Sequence, residues 1–402
     1  MSRWLCAAAI IIIILLLIAA INFSLIDISN IFNNNGDEKD DNGDNGENGG
    51  NGGTNGKHYF RTYSESAEYE FTRTITVSAS GQMTYTINIP SPMEISNDTE
   101  LLQDLVEIQT SKTPVEGAPS VDSTSNNMMV FQETINGGTA SVTVTYKIKA
   151  KTDVLDRDYY QEQSGTVEDI EQAWKDQYNH DEWRIDLDQD GVLDPEDDID
   201  GDGQWDSRIE PSNQEIKSIT SELTQDKNTV YEKIQAIYEY LISDEMMNYN
   251  TAGSSLPKAC TTTLNEKSGD CDDYSILFVS LCRAAGIPAR LIFGTYYIPD
   301  TGKWTGHGWA EVYIPLKDGT KILGTVDVVS KQFLIRDCNH VTDWIDTGGD
   351  VNVDGKNINN LDYHTYLFSF VGSGKLESDD YSSVSYSSSG SITVDLTAAE
   401  VD

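Results

Sequence analysis

Three side chains in the second half of the chain have the types and the order needed to attack an amide. Cys271 opens an apolar stretch that ends at Gly286-Ile287-Pro288, and this pattern predicts a helix from about Asp272 to Ala285. Because the free N–H groups and the dipole of a helix N-terminus favour a thiolate, the sequence predicts an activated cysteine there. His307 and Asp327 follow on predicted strands, where an imidazole can ionise the sulfur and a carboxylate can orient the imidazole.

The distance between His307 and Asp327 depends on strand register. His307 lies near the start of one predicted strand, and Asp327 lies in the next, predicted over residues 322–329. The two side chains share a face if the turn at residues 317–320 has the right parity, but a slip of one residue separates them. The sequence leaves both arrangements open.

The elements around this cysteine are predicted from apolar spacing. Residues 213–243 carry apolar side chains at helical intervals with one interruption, which predicts two amphipathic helices. The backbone N–H of Cys271 is the expected donor to an oxyanion. A second donor cannot be chosen among Tyr249, Asn250 and their neighbours.

Several short motifs occur here in a fixed order. They are Gly269-Asp270-Cys271, the run from Arg283 to Arg290, His307-x-Trp309-x-Glu311-Val312 and Thr325-Val326-Asp327. Together they resemble the transglutaminase-like superfamily, particularly its compact prokaryotic members of archaeal type, over about residues 213–329. The resemblance implies a papain-like α+β fold. It also implies Cys271 as nucleophile, His307 as general base and acid, Asp327 as the group that orients His307, and a thioester resolved by water or by an amine.

A second pattern lies ahead of this region, where aspartates at alternate positions followed by a glycine occur twice, twelve residues apart. Oxygen ligands at this spacing, with glycine in the sharp turn, are typical of loops that bind Ca²⁺. The loops resemble the calcium repeats of thrombospondin type 3 and dockerin-like modules, although Asp197 stands where a closing glutamate is expected. The alternative is a solvated acidic run. The predicted ligands of a structural Ca²⁺ site are Asp186, Asp188, Asp190, Asp194, Asp197, Asp198, Asp200, Asp202 and Asp206.

The first residues predict a membrane segment. Residues 5–21 carry only apolar side chains, and the charge of Arg3 ahead of them places the short end in the cytoplasm. A single-pass anchor and a cleaved signal peptide both fit this pattern. In either case the folded part is expected outside the cytoplasm, attached to the cell membrane or, after cleavage, secreted.

The remaining composition sets the domain organisation and excludes one class of partner. Alternating β-forming residues from 59 to 151, broken by Ser80-Gly81 and Asn136-Gly137-Gly138, predict short antiparallel strands of a β-sandwich. A formal net charge of −39 over 402 residues argues against nucleic-acid binding. The predicted order is an anchor or signal (1–22), a flexible acidic Asn/Gly-rich linker (23–58), a β-sandwich (59–152), an acidic calcium-binding connector (153–212), a transglutaminase-like domain (213–335) and a C-terminal extension (336–402).

These features together predict a membrane-tethered cysteine amidohydrolase that cleaves peptide or isopeptide bonds of protein or peptide substrates at the cell surface. Two alternatives remain open. One is a glutamine γ-glutamyltransferase that crosslinks surface proteins, and the other is a non-catalytic adhesion module stabilised by calcium. Among the five cysteines, Cys260 and Cys338 are left open as a disulfide pair.

Overall fold

The computed structural model describes residues 59–97, 99–113, 120–121, 128–186, 193–195, 197–199, 201, 203–251, 256–353, 356–365 and 368–401. The predicted anchor and linker, residues 1–58, lie outside these ranges. Among the residues in these ranges, no helix is long and apolar enough to cross a membrane.

The described strands fall into two large antiparallel sheets and several two-stranded pairs. In chain order they are β1 (Tyr59–Tyr63), β2 (Ser66–Pro90), β3 (Ile95–Ser96), β4 (Leu101–Thr113), β5 (Ser120–Val121), β6 (Met128–Lys151), β7 (Asp153–Val154), β8 (Glu182–Arg184), β9 (Ser207–Ile209), β10 (Ala289–Ile298), β11 (Lys303–Pro315), β12 (Lys321–Asp327), β13 (Gln332–Phe333), β14 (Ile335–Arg336), β15 (His340–Ile345), β16 (Asp350–Val353), β17 (Lys356–Asn359), β18 (Phe368–Ser389) and β19 (Ile392–Leu396).

Most of the described helices lie in the sequence between β7 and β10. They are α1 (Arg157–Gln163), α2 (Gln172–Tyr178), α3 (Gln214–Thr224), α4 (Val230–Leu241), α5 (Cys260–Glu266), α6 (Cys271–Ala284), α7 (Asn360–Thr365) and α8 (Ala398–Val401), with a 3₁₀ turn at Val167–Asp169.

Helix α6 is the centre of the second half of the chain. It begins with a capping box, in which Asp270 accepts the N–H groups of Asp272 and Asp273 and the Asp273 side chain accepts the N–H of Asp270. Every residue from Asp273 to Arg283 is buried, because α6 packs on a five-stranded sheet of order β13-β12-β11-β10-β15 and also contacts α3, α4 and α5. The predicted central helix and the two predicted amphipathic helices are confirmed, and the mixed helix and strand core agrees with the α+β expectation.

The N-terminal β region differs from the predicted sandwich of short strands. It forms one sheet of order β18-β2-β6-β4-β3, with β5 also on β6, and β2 alone has 25 residues. Ser80 and Gly81 do not end a strand, because they lie in a bulge where the pairing of β2 with β6 shifts between Ala79 and Gln82. The buried face of this sheet packs against Tyr297, Trp304 and other residues of the second half of the chain, which replace the second sheet of a sandwich.

The residues predicted as a C-terminal extension take part in both sheets. Strand β18 is an edge strand beside β2, and β15 completes the five-stranded sheet. Strand β19 pairs with β1. Glu400 of α8 forms an ion pair with Arg157, with 2.8 Å between Oε1 and Nη2. The two ends of the described chain therefore meet beside α4, where the Tyr238 hydroxyl also donates to Glu400 at 3.3 Å.

Candidate active site

Cys271 is the first residue of α6, and its side chain is half-buried. Its sulfur lies 3.4 Å from Oδ1 of Asp272. The backbone N–H of Gly308 donates toward the same sulfur. Because Gly308 directly follows His307 in β11, this contact brings the start of α6 next to the histidine strand.

The electrostatics of Cys271 differ from the prediction of a stabilised thiolate. Burial, together with the negative charges of Asp272 and Asp270, raises the pKa of the Cys271 thiol well above its usual value. The N–H of Gly308 acts in the opposite direction but does not offset these effects. Burial and the neighbouring acids also raise the pKa of Asp272 to about 8. The resting group is therefore a thiol that needs a base, since the helix N-terminus alone does not ionise it.

His307 and Asp327 come together across adjacent strands. Strands β11 and β12 pair antiparallel with Ala310 opposite Val326, and this register leaves both side chains on one face. Nε2 of His307 lies 2.7 Å from Oδ2 of Asp327, and both residues are buried. Nδ1 of His307 is buried and has no hydrogen-bond partner among the described residues, so one ring nitrogen remains free to take a proton. Of the two arrangements that the sequence leaves open, the structure has the one in which His307 and Asp327 share a face.

The carboxylate of Asp327 has further donors. Ser330 donates its backbone N–H to Oδ1 at 3.1 Å and its hydroxyl to Oδ2 at 2.5 Å. Nε2 of His340 lies 3.1 Å from Oδ2. Burial disfavours the Asp327 carboxylate, but the charges and hydrogen bonds of His307 and His340 outweigh this effect and hold the pKa of Asp327 well below its usual range. Asp327 is therefore an anion at neutral pH.

His340 is not among the predicted site residues, and it lies on β15 in the region predicted as an extension. Nδ1 of His340 lies 2.9 Å from Oδ1 of Asp337, whose Oδ2 accepts the hydroxyl of Tyr296 at 3.1 Å. Only five histidines occur in the chain. The signal that the sequence offers for His340 is its position three residues after Asp337, soon after the strand that carries Asp327.

His307, Asp327 and His340 also form a set of side chains of the kind that binds transition metals. Oδ2 of Asp327 already accepts the Ser330 hydroxyl, and both imidazole nitrogens approach it at hydrogen-bonding distances. The arrangement is that of a hydrogen-bonded network around one carboxylate oxygen.

Tyr249 lies beside the candidate nucleophile. Its backbone forms a parallel bridge with Gly269, two residues before Cys271. The pKa of Tyr249 is raised above its usual range, mainly by burial. The charges of nearby groups act in the same direction; these groups are Cys271, Asp270, Asp272 and Asp327. The Tyr249 hydroxyl therefore keeps its proton and is a candidate for the second oxyanion donor that the sequence left unchosen.

The predicted calcium loops are described only in part. Asp188, Asp190, Asp200 and Asp202 lie outside the described residues. Among the others, Asp197 and Asp206 are buried, Asp206 accepts the backbone N–H of Ile199, and Asp198 accepts that of Gly203 at 3.0 Å. Gly203 has a φ of +82°, the left-handed conformation that suits glycine. Asp198 and Asp206 thus accept N–H groups of their own loop, whereas Asp186 pairs with Arg184 at 3.5 Å.

The other cysteines of the described ranges are separate from this site. Cys260, Cys282 and Cys338 are buried and free, so Cys260 and Cys338 do not form the disulfide that the sequence left open. They belong to different hydrophobic clusters, since Cys260 packs with α6 and Cys338 packs with the six-stranded sheet.

The described site therefore has a cysteine at the start of a central helix, packed on a sheet that carries a buried histidine and aspartate. Residues 217–320 match the family model described as the transglutaminase-like superfamily, which confirms the predicted resemblance. This range includes Cys271 and His307, and Asp327 lies just beyond its end.

The chain is also similar to known proteins. It is 31% identical over 117 residues to the uncharacterized protein YebA of Bacillus subtilis, in a match that spans 25% of this chain and 16% of that protein. Among solved structures, a candidate cysteine protease from Cytophaga hutchinsonii has 16% identity and a TM-score of 0.47, covering 84% of this chain and 93% of that one. The periplasmic domain of TgpA from Pseudomonas aeruginosa has 12% identity and a TM-score of 0.27, covering 66% and 90%.

Proposed function

We propose that this protein is a cysteine amidohydrolase of transglutaminase-like type that cleaves peptide or isopeptide bonds. The observation that carries the proposal is the buried pair of His307 and Asp327, with 2.7 Å between Nε2 and Oδ2. The pair lies on the sheet against which α6 packs, and the N–H of Gly308, the residue after His307, donates toward the half-buried thiol of Cys271. A buried imidazole that is held by a carboxylate on one nitrogen and free on the other is suited to move a proton.

In the proposed reaction His307 acts first as a base. Nδ1 of His307 takes the proton of the Cys271 thiol as the sulfur attacks the amide carbon, which avoids a free thiolate beside Asp272. The C–N bond then breaks, and the proton on His307 goes to the leaving amine. Water, deprotonated by the same imidazole, resolves the thioester to a carboxylic acid and restores the thiol. Asp327 keeps the ring oriented and stabilises the imidazolium in both steps.

The tetrahedral intermediate needs two donors. The carboxylate of Asp270 occupies the N–H groups of Asp272 and Asp273 but not that of Cys271, so the Cys271 N–H is one proposed donor. The hydroxyl of Tyr249 is the other.

We further propose that residues 5–21 tether the enzyme to the cell membrane and that its folded part acts on proteins or peptides outside the cytoplasm. This proposal rests on the apolar run and on the charge of Arg3 ahead of it. If the run is a signal peptide instead, the folded part is secreted.

Ca²⁺ is proposed as a structural ion of the acidic connector. Asp197 and Asp206 are buried at 1% and 2% exposure, and buried carboxylates of this kind suit a hard cation. A chelator should lower the melting temperature of the full-length protein, and added Ca²⁺ should restore it whereas Mg²⁺ should not. An unchanged melting temperature would count against the site.

The function is tested with full-length protein in mild detergent, casein as a model substrate and a fluorescent primary amine. Casein fragments are expected, and they should disappear in Cys271→Ala. Cys282→Ala is the matched control, because Cys282 lies on the same helix but is fully buried away from the site. Fluorescent, uncleaved casein would identify a crosslinking enzyme instead. Equal activity of the wild type and Cys271→Ala, or no activity in either, would favour a non-catalytic adhesion module.

A further inference from the structure

A second histidine and aspartate pair lies behind His307 and Asp327. His340 is 0% exposed, and its ring bridges two carboxylates, with Nε2 at 3.1 Å from Asp327 and Nδ1 at 2.9 Å from Asp337. Asp337 is itself held by Gln332, whose side-chain amide donates to it at 2.9 Å. A chain of contacts therefore runs from His307 through Asp327 and His340 to Asp337.

The geometry defines the charge of His340. An ionised carboxylate only accepts hydrogen bonds, and a neutral imidazole has only one N–H to donate. Because both ring nitrogens of His340 face carboxylate oxygens, both must carry a proton, which makes the ring an imidazolium. Burial opposes this charge, but Asp337 and Asp327 outweigh it and raise the pKa of His340 to about 9.

Groups from several elements surround His340. The titratable and charged ones are Asp327 of β12, His307 of β11, Tyr296 of β10, Arg336 of β14 and Asp337 of the turn before β15. Trp309 packs edge-on against the ring, with 4.8 Å between the centroids. The fixed positive charge of His340 thus lies on one side of Asp327, and His307 lies on another, with 5.5 Å between the two imidazole centroids.

We propose that His340 is a positioning residue of the active site. As an imidazolium it holds Asp327 in place and limits how far the Asp327 anion stabilises the protonated form of His307. It does not contact the reacting atoms. Its positive charge competes with His307 for the same carboxylate oxygen. His307 can therefore receive the thiol proton and still release it to the leaving amine. This inference rests on the proposed function and assigns a further residue to it.

The test is the pH profile of iodoacetamide labelling at Cys271 in the full-length protein, followed by mass spectrometry. The His307-dependent inflection is the one that the wild type has and His307→Ala lacks. His340→Gln keeps a donor for Asp327 but removes the positive charge. At 5.5 Å and an effective dielectric constant of about 20, loss of a unit charge moves a titration midpoint by up to about 2 pH units. The inflection should therefore move to higher pH by about 1 to 2 pH units.

A second variant covers the case in which His340→Gln does not fold. The double variant Asp337→Asn with His340→Gln removes the charges of His340 and Asp337 together, so Asp337 is not left as a buried carboxylate without its cation. It should still move the inflection upward, though by less, because the lost negative charge of Asp337 partly offsets the lost positive charge. A slower but unshifted profile in the folded variants would assign His340 a structural role only and overturn the proposal.

The two proposals fail in different ways. If the wild-type profile equals that of His307→Ala, no inflection depends on His307, and the proposed function falls together with the role of His340. If the wild type has the inflection and the His340 variants leave its midpoint unchanged, only the role of His340 falls. All proteins are dialysed against a chelator first, so that no metal bound to the histidines contributes.

Discussion

Arg283 fixes the C-terminal end of α6, and Arg283→Met is the most specific stability prediction. Its guanidinium is 0% exposed and lies 2.9 Å from Glu182 and 2.9 Å from Asp346. It also donates to the backbone carbonyl of Ala289 at 2.9 Å. Methionine fills a similar volume but provides no charge, so two buried carboxylates lose their cation.

The expected cost follows from this burial. Breaking a buried ion pair by removing one partner costs about 3–5 kcal/mol, because the remaining charge is left unpaired. Arg290→Met is the matched control, since Arg290 pairs with Glu311 at 2.7 Å but the side chains are 18% and 16% exposed. That pair reaches solvent at its edge, so its loss should cost about 1–3 kcal/mol, between the values for exposed and for fully buried pairs.

The pH dependence gives a second check. Burial and the charge of Asp346 raise the pKa of Glu182 to about 7, even though Arg283 acts to lower it. A carboxyl with a raised pKa binds its proton more tightly in the folded state than in the unfolded state. Protonation of this carboxyl therefore stabilises the fold, and that stabilisation is lost as pH rises through the raised pKa. Without Arg283 this effect grows. The deficit of Arg283→Met should therefore be largest near pH 8 and shrink toward pH 5.

The assay is urea unfolding of both variants, followed by tryptophan fluorescence at several pH values. A deficit of Arg283→Met no larger than that of Arg290→Met would refute the argument from burial. A deficit that grows toward acid pH would refute the assignment of its cause to Glu182.

Three further predictions concern the site. Asp327→Asn should slow casein cleavage by about 10³- to 10⁴-fold without unfolding the protein, because His307 loses the anion that orients it, and an unchanged rate would remove Asp327 from the mechanism. Tyr249→Phe should lower kcat by about 10²-fold with little change in KM if its hydroxyl serves the oxyanion, whereas a change in KM alone would assign it to substrate binding. Gly308→Ala should reduce labelling of Cys271, because a Cβ there would meet Asp272 Oδ1 at 2.7 Å, while the control Gly306→Ala, which meets nothing within 4 Å, should label normally.

The parts of the site that could be predicted from the sequence are those with local signals. Cys271 was found because a capped, nearly all-apolar helix follows it. His307 and Asp327 were found from their motifs, but their distance depended on a turn whose parity cannot be read from residue types. The ionisation of Cys271 was predicted with the wrong direction, since a helix N-terminus is local but the burial of the sulfur is a tertiary property.

His340 could not be placed for a topological reason. Its strand β15 follows β13 in sequence but lies at the opposite edge of the sheet, next to β10. Lys331, just before β13, and Leu334, just after it, have positive φ, a backbone conformation that their residue types do not predict. The same limit applies to the six-stranded sheet, where Gly81 marks a bulge inside a long strand.

The most direct test of the central claim is the rate at which iodoacetamide labels Cys271 near neutral pH, compared between the wild type and His307→Ala. We predict labelling of the wild type and a loss of at least about 10-fold in the variant, because the thiol depends on this base. The fully buried Cys282 should stay unlabelled in both proteins. Equal labelling of Cys271 in the two proteins would contradict the account, because it would mean that His307 does not activate the sulfur.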